Sequence, residues 1–157
     1  MPEPFDPTRH RLAPTRYFED FALGQSFYIP SRSVTHAHFV AFQAASGDNH
    51  PIHYDREFCR RHGYPELLAH GFQVLLHTAA GGGQFMLEGS LLGLIEQSSR
   101  FLRPVYAADT LNPRLRVGEL TPQRTTGILV LASSVHNQRA ELVMEQIQKY
   151  LLKRRQA

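Results

Sequence analysis

An acid and a base stand five residues apart in the stretch Ser46-Gly47-Asp48-Asn49-His50-Pro51-Ile52-His53. Pro51 fixes its own φ and disfavours the helical region for His50, so no helix runs through the pair. Gly47 permits a sharp entry. The segment is therefore expected to be a rigid turn that presents the Asp48 carboxylate and the His53 imidazole together. Histidine titrates near neutrality and can take up and return a proton. The pair therefore suits activation of a water molecule, a contribution typically worth about 10²–10⁴-fold in rate. Taken alone, an Asp/His pair is more often a turn cap beside a structural histidine, because aspartate is a common turn former.

Ala69-His70-Gly71 is the second candidate. If a helix starts here, its first backbone N–H groups lack intrahelical partners and the helix dipole favours negative charge beyond them. Such donors can hold a developing oxyanion, and Gly71 would let a substrate approach the backbone closely. Taken alone, the tripeptide more often marks a plain helix start with a glycine. Metal binding has weak support: His50 and His53 lack clear further ligands, His36, His38 and His62 are scattered, and no H-E-x-x-H pattern is present. Cys59, the only cysteine, has no catalytic setting and reads as a small buried residue. There is no G-x-S-x-G elbow and no G-x-G-x-x-G after a strand.

These segments need a scaffold. With 157 residues and 42% apolar content, the chain suits one domain with a real core. Residues 1–16 are expected to form a flexible arm and 17–157 a single domain. No apolar run reaches the length of a membrane span. The first residues lack a signal-peptide layout, and a lone cysteine fits a reducing compartment, so a cytoplasmic protein is expected. The net charge is +3 and only Lys149 and Lys153 are lysines. The positive charge is scattered apart from Lys153-Arg154-Arg155, which argues against a nucleic-acid interface.

Ser26–Val34 reads as a strand. Thr35 can cap a helix through Ala45, and Asp55 can cap a short helix ending at Gly63. Gly71–Leu87 has the pattern of a buried helix with Phe72, Leu75, Leu76 and Ala79 on one face, and Gly81–Gly83 suits close packing on a sheet. Leu91–Leu102, Thr110–Leu120 and Thr125–Val135 read as strands. Ala140–Leu151 suits a strand, but its good helix formers and the spacing of Val143, Ile147 and Leu151 suit a helix equally well. Helices in the first half and strands in the second point to an α+β domain with a mainly antiparallel sheet.

Together these segments resemble the MaoC-like family, the hydratase-2 branch of the hot-dog fold. The family turn G-D-x-N-P-[aliphatic]-H stands here as Gly47-Asp48-Asn49-His50-Pro51-Ile52-His53, and its A-H-G as Ala69-His70-Gly71. Phe101-Leu102-Arg103-Pro104-Val105 with Asp109-Thr110-Leu111 resembles its F-x-x-P-V…G-D-T-L, and Asn137-Gln138 its N-Q hairpin. The likeness runs in order from about Tyr17 to Leu152. It implies a curved antiparallel sheet wrapped around the helix that begins near Gly71, with Ala140–Leu151 as its last strand. It implies dimers or higher homo-oligomers, an acyl-CoA substrate and no separate cofactor.

The implied reaction is reversible hydration of a trans-2-enoyl-CoA to an (R)-3-hydroxyacyl-CoA. Asp48 and His53 would activate the water and the Gly71 N–H would hold the thioester oxygen. Ala69, His70 and His50 would contact substrate, Leu67-Leu68 and Gly81–Gly83 would shape the acyl tunnel, and Arg100, Arg103, Arg114 and Arg116 are candidates for the CoA phosphates. Three positions depart from the family pattern. His50 replaces an asparagine whose amide would brace the turn, a change expected to bear on the aim of Asp48 or the substrate range; Ala108 replaces a glycine, and Thr78–Ala79 stands where some relatives carry a helix serine. An acyl-CoA thioesterase and a non-catalytic acyl-thioester-binding module are the alternatives the fold allows.

Overall fold

The computed structural model describes residues 5–9, 14–79 and 89–155. In chain order they form strands β1 (Ser26–Tyr28) and β2 (Arg32–Ser33), then helices α1 (His36–Ser46), α2 (Arg56–Arg61) and α3 (Gly71–Leu76). Four long strands follow: β3 (Leu91–Phe101), β4 (Thr110–Pro122), β5 (Thr126–His136) and β6 (Leu142–Lys153). The sheet is antiparallel throughout, in the order β1-β4-β5-β6-β3, with β2 pairing separately with β4. The expected hot-dog architecture is present, with α3 packed on one face of the sheet. No helix among the described residues is long and apolar enough to cross a membrane.

Alternation explains the sheet. Leu111, Leu115 and Val117 of β4 are buried while Arg114 and Arg116 between them face outward, the period-2 pattern of a half-covered sheet. In β6, Met144, Gln146, Gln148, Tyr150 and Leu152 are buried, and this strand lies between β5 and β3. Helix formers here yield to ladder pairing on both sides, a tertiary override of local propensity. The expected strand Ser26–Val34 is instead two short pieces flanking Pro30, which has no N–H to give to a ladder.

The core has two parts. Phe18, Phe21 and Phe27 pack on Leu115, Leu129 and Leu152 at one end, and Phe39, Leu67, Val74, Leu111 and Met144 pack at the other. The Phe18 ring lies where a β-carbon on residue 127 would sit, which requires the glycine found there. Thr78 ties the helix to the sheet: its hydroxyl donates to the Leu75 carbonyl at 2.7 Å and accepts from Gln146 Nε2. That hydroxyl is thus committed to structure and does not replace the family serine.

The expected apolar face of α3 is buried only in part: Leu75 packs on the core. Phe72 is 73% and Leu76 57% exposed, whereas Gln73 and Val74 are buried. The helix ends at Leu76, short of the expected run to Leu87, and Gly81–Gly83 lie outside the described residues.

Buried Asp109 anchors the turn before β4. Its carboxylate accepts from Tyr106 N–H at 2.9 Å and Gln138 Nε2 at 2.6 Å, and meets Arg139 at 3.4 Å. Ala108 beside it has φ 74°, a left-handed conformation that costs an L-residue about 1–2 kcal/mol. Ala108→Gly should therefore stabilise the protein by about 1 kcal/mol. Thermal unfolding should show a midpoint about 2–4 °C higher.

Candidate active site

Helix α1 ends where Gly47 adopts φ 73° and returns its N–H to the Gln43 carbonyl at 2.8 Å. The chain then runs through Asp48–His50 into a one-turn 3₁₀ helix, Pro51–His53, with Pro51 at its first position. The turn forms as the proline requires. His50 caps it: its Nδ1 accepts from Ile52 N–H at 3.3 Å, and its own N–H donates to Asp48 Oδ1 at 3.2 Å. The imidazole thus braces the turn at the position where the family carries asparagine.

The turn is clamped to the segment that leads into α3. The Ile52 carbonyl accepts from Leu68 N–H at 3.1 Å and from the Cys59 thiol at 3.2 Å. Cys59 is buried, and burial pushes its thiol above the ordinary value, in keeping with a structural role. His53 Nδ1 lies 2.7 Å from the Leu68 carbonyl. A carbonyl only accepts, so Nδ1 carries the hydrogen and Nε2 is left with a bare lone pair. That Nε2 stands 3.9 Å from Asp48 Oδ2. The gap is too long for a direct hydrogen bond and suits one molecule touching both groups.

The His53 ring stacks on His70, with centroids 3.7 Å apart. His70 is 2% exposed and lies behind His53, against Phe42 and Tyr54. Burial pushes the His53 pKa below the ordinary histidine value. The hydrogen bond to Leu68 raises it, the His70 and His50 rings lower it, and the Asp48 charge raises it. His53 is therefore neutral at neutral pH, the form a base requires.

Gly71 opens α3 directly after His70 and faces a cavity of about 270 Å³ lined by Leu68, Ala69, Phe101, Arg103 and Pro104 among others. A β-carbon at Gly71 would come within 3.2 Å of the Phe101 ring. Ala69 lines this cavity while its N–H is held by the Val105 carbonyl at 2.8 Å. The structure thus brings Asp48, His50, His53 and His70 into mutual contact, with Ala69 and Gly71 on either side of His70 in the chain and lining a cavity that Asp48 and His53 do not line. It separates the four arginines. Arg103 borders the Gly71 cavity, whereas Arg100, Arg114 and Arg116 line a different cavity of about 660 Å³. β4 alternation turns Arg114 and Arg116 away from the core side, which sequence spacing alone did not resolve.

Sequence reasoning passed over Tyr54. Its hydroxyl donates to the Asp48 carbonyl at 2.9 Å and lies 2.7 Å from His70 Nε2. The one available signal was a phenol next to His53, since a half-buried tyrosine hydroxyl usually finds a partner.

Asp48, His53 and His70 also offer three potential metal ligands within 4.8 Å of one another. The geometry does not favour a metal centre. The two imidazole planes are 22° apart at 3.7 Å separation, so no point about 2 Å from both nitrogens lies in both ring planes.

A model of the MaoC like domain matches residues 20–140. The chain is 30% identical over 120 residues to a protein named 3-hydroxybutyryl-CoA dehydratase from Methylorubrum extorquens, covering 76% of this chain and 74% of that one. Its structure is similar to that of a monoamine oxidase regulatory protein from Archaeoglobus fulgius, with TM-score 0.83, 27% identity and coverage of 90% and 97%. It is also similar to the R-hydratase PhaJ1 of Pseudomonas aeruginosa, with TM-score 0.75, 25% identity and coverage of 88% and 86%.

In an NMR titration, the His53 ring should show a midpoint below the ordinary value of about 6.5. In Asp48→Asn the raising influence of the carboxylate is lost, so the midpoint should move lower still. A midpoint that moves up would contradict the assigned environment.

Proposed function

Because the chain belongs to the MaoC-like dehydratase family, we propose that it catalyses reversible addition of water to a trans-2-enoyl-CoA, giving an (R)-3-hydroxyacyl-CoA. The observation that carries this reading is the facing pair of Asp48 Oδ2 and the bare His53 Nε2, 3.9 Å apart beside the start of α3. In the hydration direction, Asp48 orients the water and His53 Nε2 takes one of its protons. The oxygen bonds to C3, and the C2–C3 π electrons move toward the thioester. The thioester oxygen gathers charge at the Gly71 N–H, which has no intrahelical partner. The proton then passes from His53 to C2. Water is consumed whole, no electrons are lost, and the scheme uses no cofactor beyond the CoA carried by the substrate.

Cavity size bears on the assembly. About 270 Å³ at Gly71 is below the usual range for a site that encloses a ligand. Phe101 and Leu102, which line this cavity, are exposed, as are Phe72 and Leu76 of α3. Among the described residues, strand β3 forms an edge of the sheet and exposes Leu92, Leu94 and Ile95. A long, apolar, unpaired edge invites strand pairing. A second copy of this chain, joined along β3, would cover these groups and deepen the site, so the reading includes a homodimer.

The enoyl-thioester absorbance of crotonyl-CoA should fall on addition of the protein, without release of free CoA thiol. Asp48→Asn should lower kcat/KM by at least about a hundredfold while leaving the circular dichroism unchanged. The acid limb of the pH–rate profile should lie below about 6.5, where His53 takes a proton. Thiol release in place of absorbance loss would mark a thioesterase, and binding of a CoA thioester without either would mark a binding module.

Light scattering should give twice the chain mass. Ile95→Lys, which places a charge on the β3 edge, should shift the protein to the monomer. A wild-type monomer would remove the dimer from this reading.

A further inference from the structure

Asp48 must be aimed, yet its side chain is 48% exposed and it sits between the end of α1 and the Pro51 turn. Within this short stretch, its N–H bonds Ser46 Oγ at 3.2 Å and its Oδ1 accepts from His50 N–H. Among the described residues, the hydrogen bonds that tie residue 48 to anything beyond this stretch run from its carbonyl to Tyr54 Oη at 2.9 Å and, more weakly, to His70 Nε2 at 3.5 Å. Tyr54 Oη is also 2.7 Å from His70 Nε2.

The proton count fixes the direction of this chain. The Asp48 carbonyl only accepts, so the single hydroxyl hydrogen of Tyr54 goes to it. The hydroxyl oxygen then accepts from His70 Nε2–H. His70 Nδ1 is left bare, and it is the buried ring atom without a hydrogen-bond partner. An unpaired lone pair is the milder deficit, because buried N–H groups without partners are rare. Burial, with the Asp48 charge adding to it, raises the Tyr54 hydroxyl above the ordinary phenol value, so the donor keeps its hydrogen at working pH.

We propose that Tyr54 is a positioning residue for the reaction: its hydroxyl links buried His70 to the Asp48 carbonyl and holds the Asp48 carboxylate opposite His53 Nε2. The two consecutive residues His53 and Tyr54 thereby serve one water, His53 by accepting its proton and Tyr54 by fixing the backbone of its other holder. The proposal rests on the hydration reading for the step it serves, but its geometric content is independent of turnover.

Tyr54→Phe removes one oxygen and keeps the ring. With crotonyl-CoA, kcat should fall about tenfold with KM within about twofold, the split expected when alignment rather than binding is lost. Loss of thermal stability with kcat preserved would reduce Tyr54 to packing and overturn the proposal. If the wild type shows no hydration, the functional reading fails, and positioning is decided by NMR alone. Backbone order parameters at residues 48–50 should drop in Tyr54→Phe from the rigid range near about 0.85; unchanged values overturn it. A measurement on the wild type needs no variant: the His70 ring nitrogens should report the Nε2–H tautomer, and an Nδ1–H tautomer would break the proposed chain.

Discussion

The site depends on one joint, the contact between the Pro51–His53 turn and the strand-like segment Leu68–His70 that leads into α3. Two hydrogen bonds cross it at Leu68, one through the N–H and one through the carbonyl. The His53–His70 stack and the Tyr54–His70 bond lie beside them. An average hydrogen bond contributes only about 1 kcal/mol net, so no single bond holds the turn. The joint is strong because its members are interlocked. Losing the Leu68 carbonyl contact would free the His53 ring to rotate, unsettle its tautomer and remove the face on which His70 lies. Position and protonation are set by the same bond.

The sheet serves this joint from the other side. Leu67 and Ala69 exchange backbone bonds with Ala107 and Val105, which places the segment against the Phe101–Asp109 connection. That connection is pinned at its far end by Asp109, whose buried carboxylate is shared by the Tyr106 amide and the β5–β6 hairpin residues Gln138 and Arg139. A buried carboxylate with fewer donors would cost more than it contributes. Here four groups converge: Ala108 accepts a strained φ, Asp109 supplies the acceptor oxygens, and Gln138 and Arg139 supply donors. The residues that look like a motif around Asp109 are thus framework, and the proposed site lies at the opposite end of the connection.

Much of this was legible before any coordinates. Pro51 dictated a turn, Thr35 and Asp55 marked helix starts, and the family resemblance joined Asp48, His53 and Gly71 into one site. What stayed hidden has a common physical cause. Local sequence reports periodicity and not which side a partner occupies. Phe72 and Leu76 form a correct helical stripe that faces away from the core. Arg114 and Arg116 alternate correctly along β4 but fall on the face opposite Leu115 and Val117. The β6 segment suits either period, and only pairing with β5 and β3 decides between them. Tyr54 gave only the weak signal of a phenol beside His53, because its partners, Asp48 and His70, are six and sixteen residues away and meet only in the folded turn.

His50 shows why a departure from the family motif need not disturb the geometry. Asparagine Oδ1 and histidine Nδ1 are both acceptors attached to Cγ, so either can reach the Ile52 N–H from the residue before the proline. The imidazole keeps this cap at 3.3 Å and adds what an amide lacks, a ring that packs edge-on to Phe58 with centroids 5.7 Å apart. The turn therefore gains a foothold on α2 as well as on the Leu68 segment. The same ring also lies 6.3 Å from His53, where it adds to the influences that keep the base neutral. The imidazole thus caps the turn here and lowers the His53 pKa, the direction the proposed general base needs.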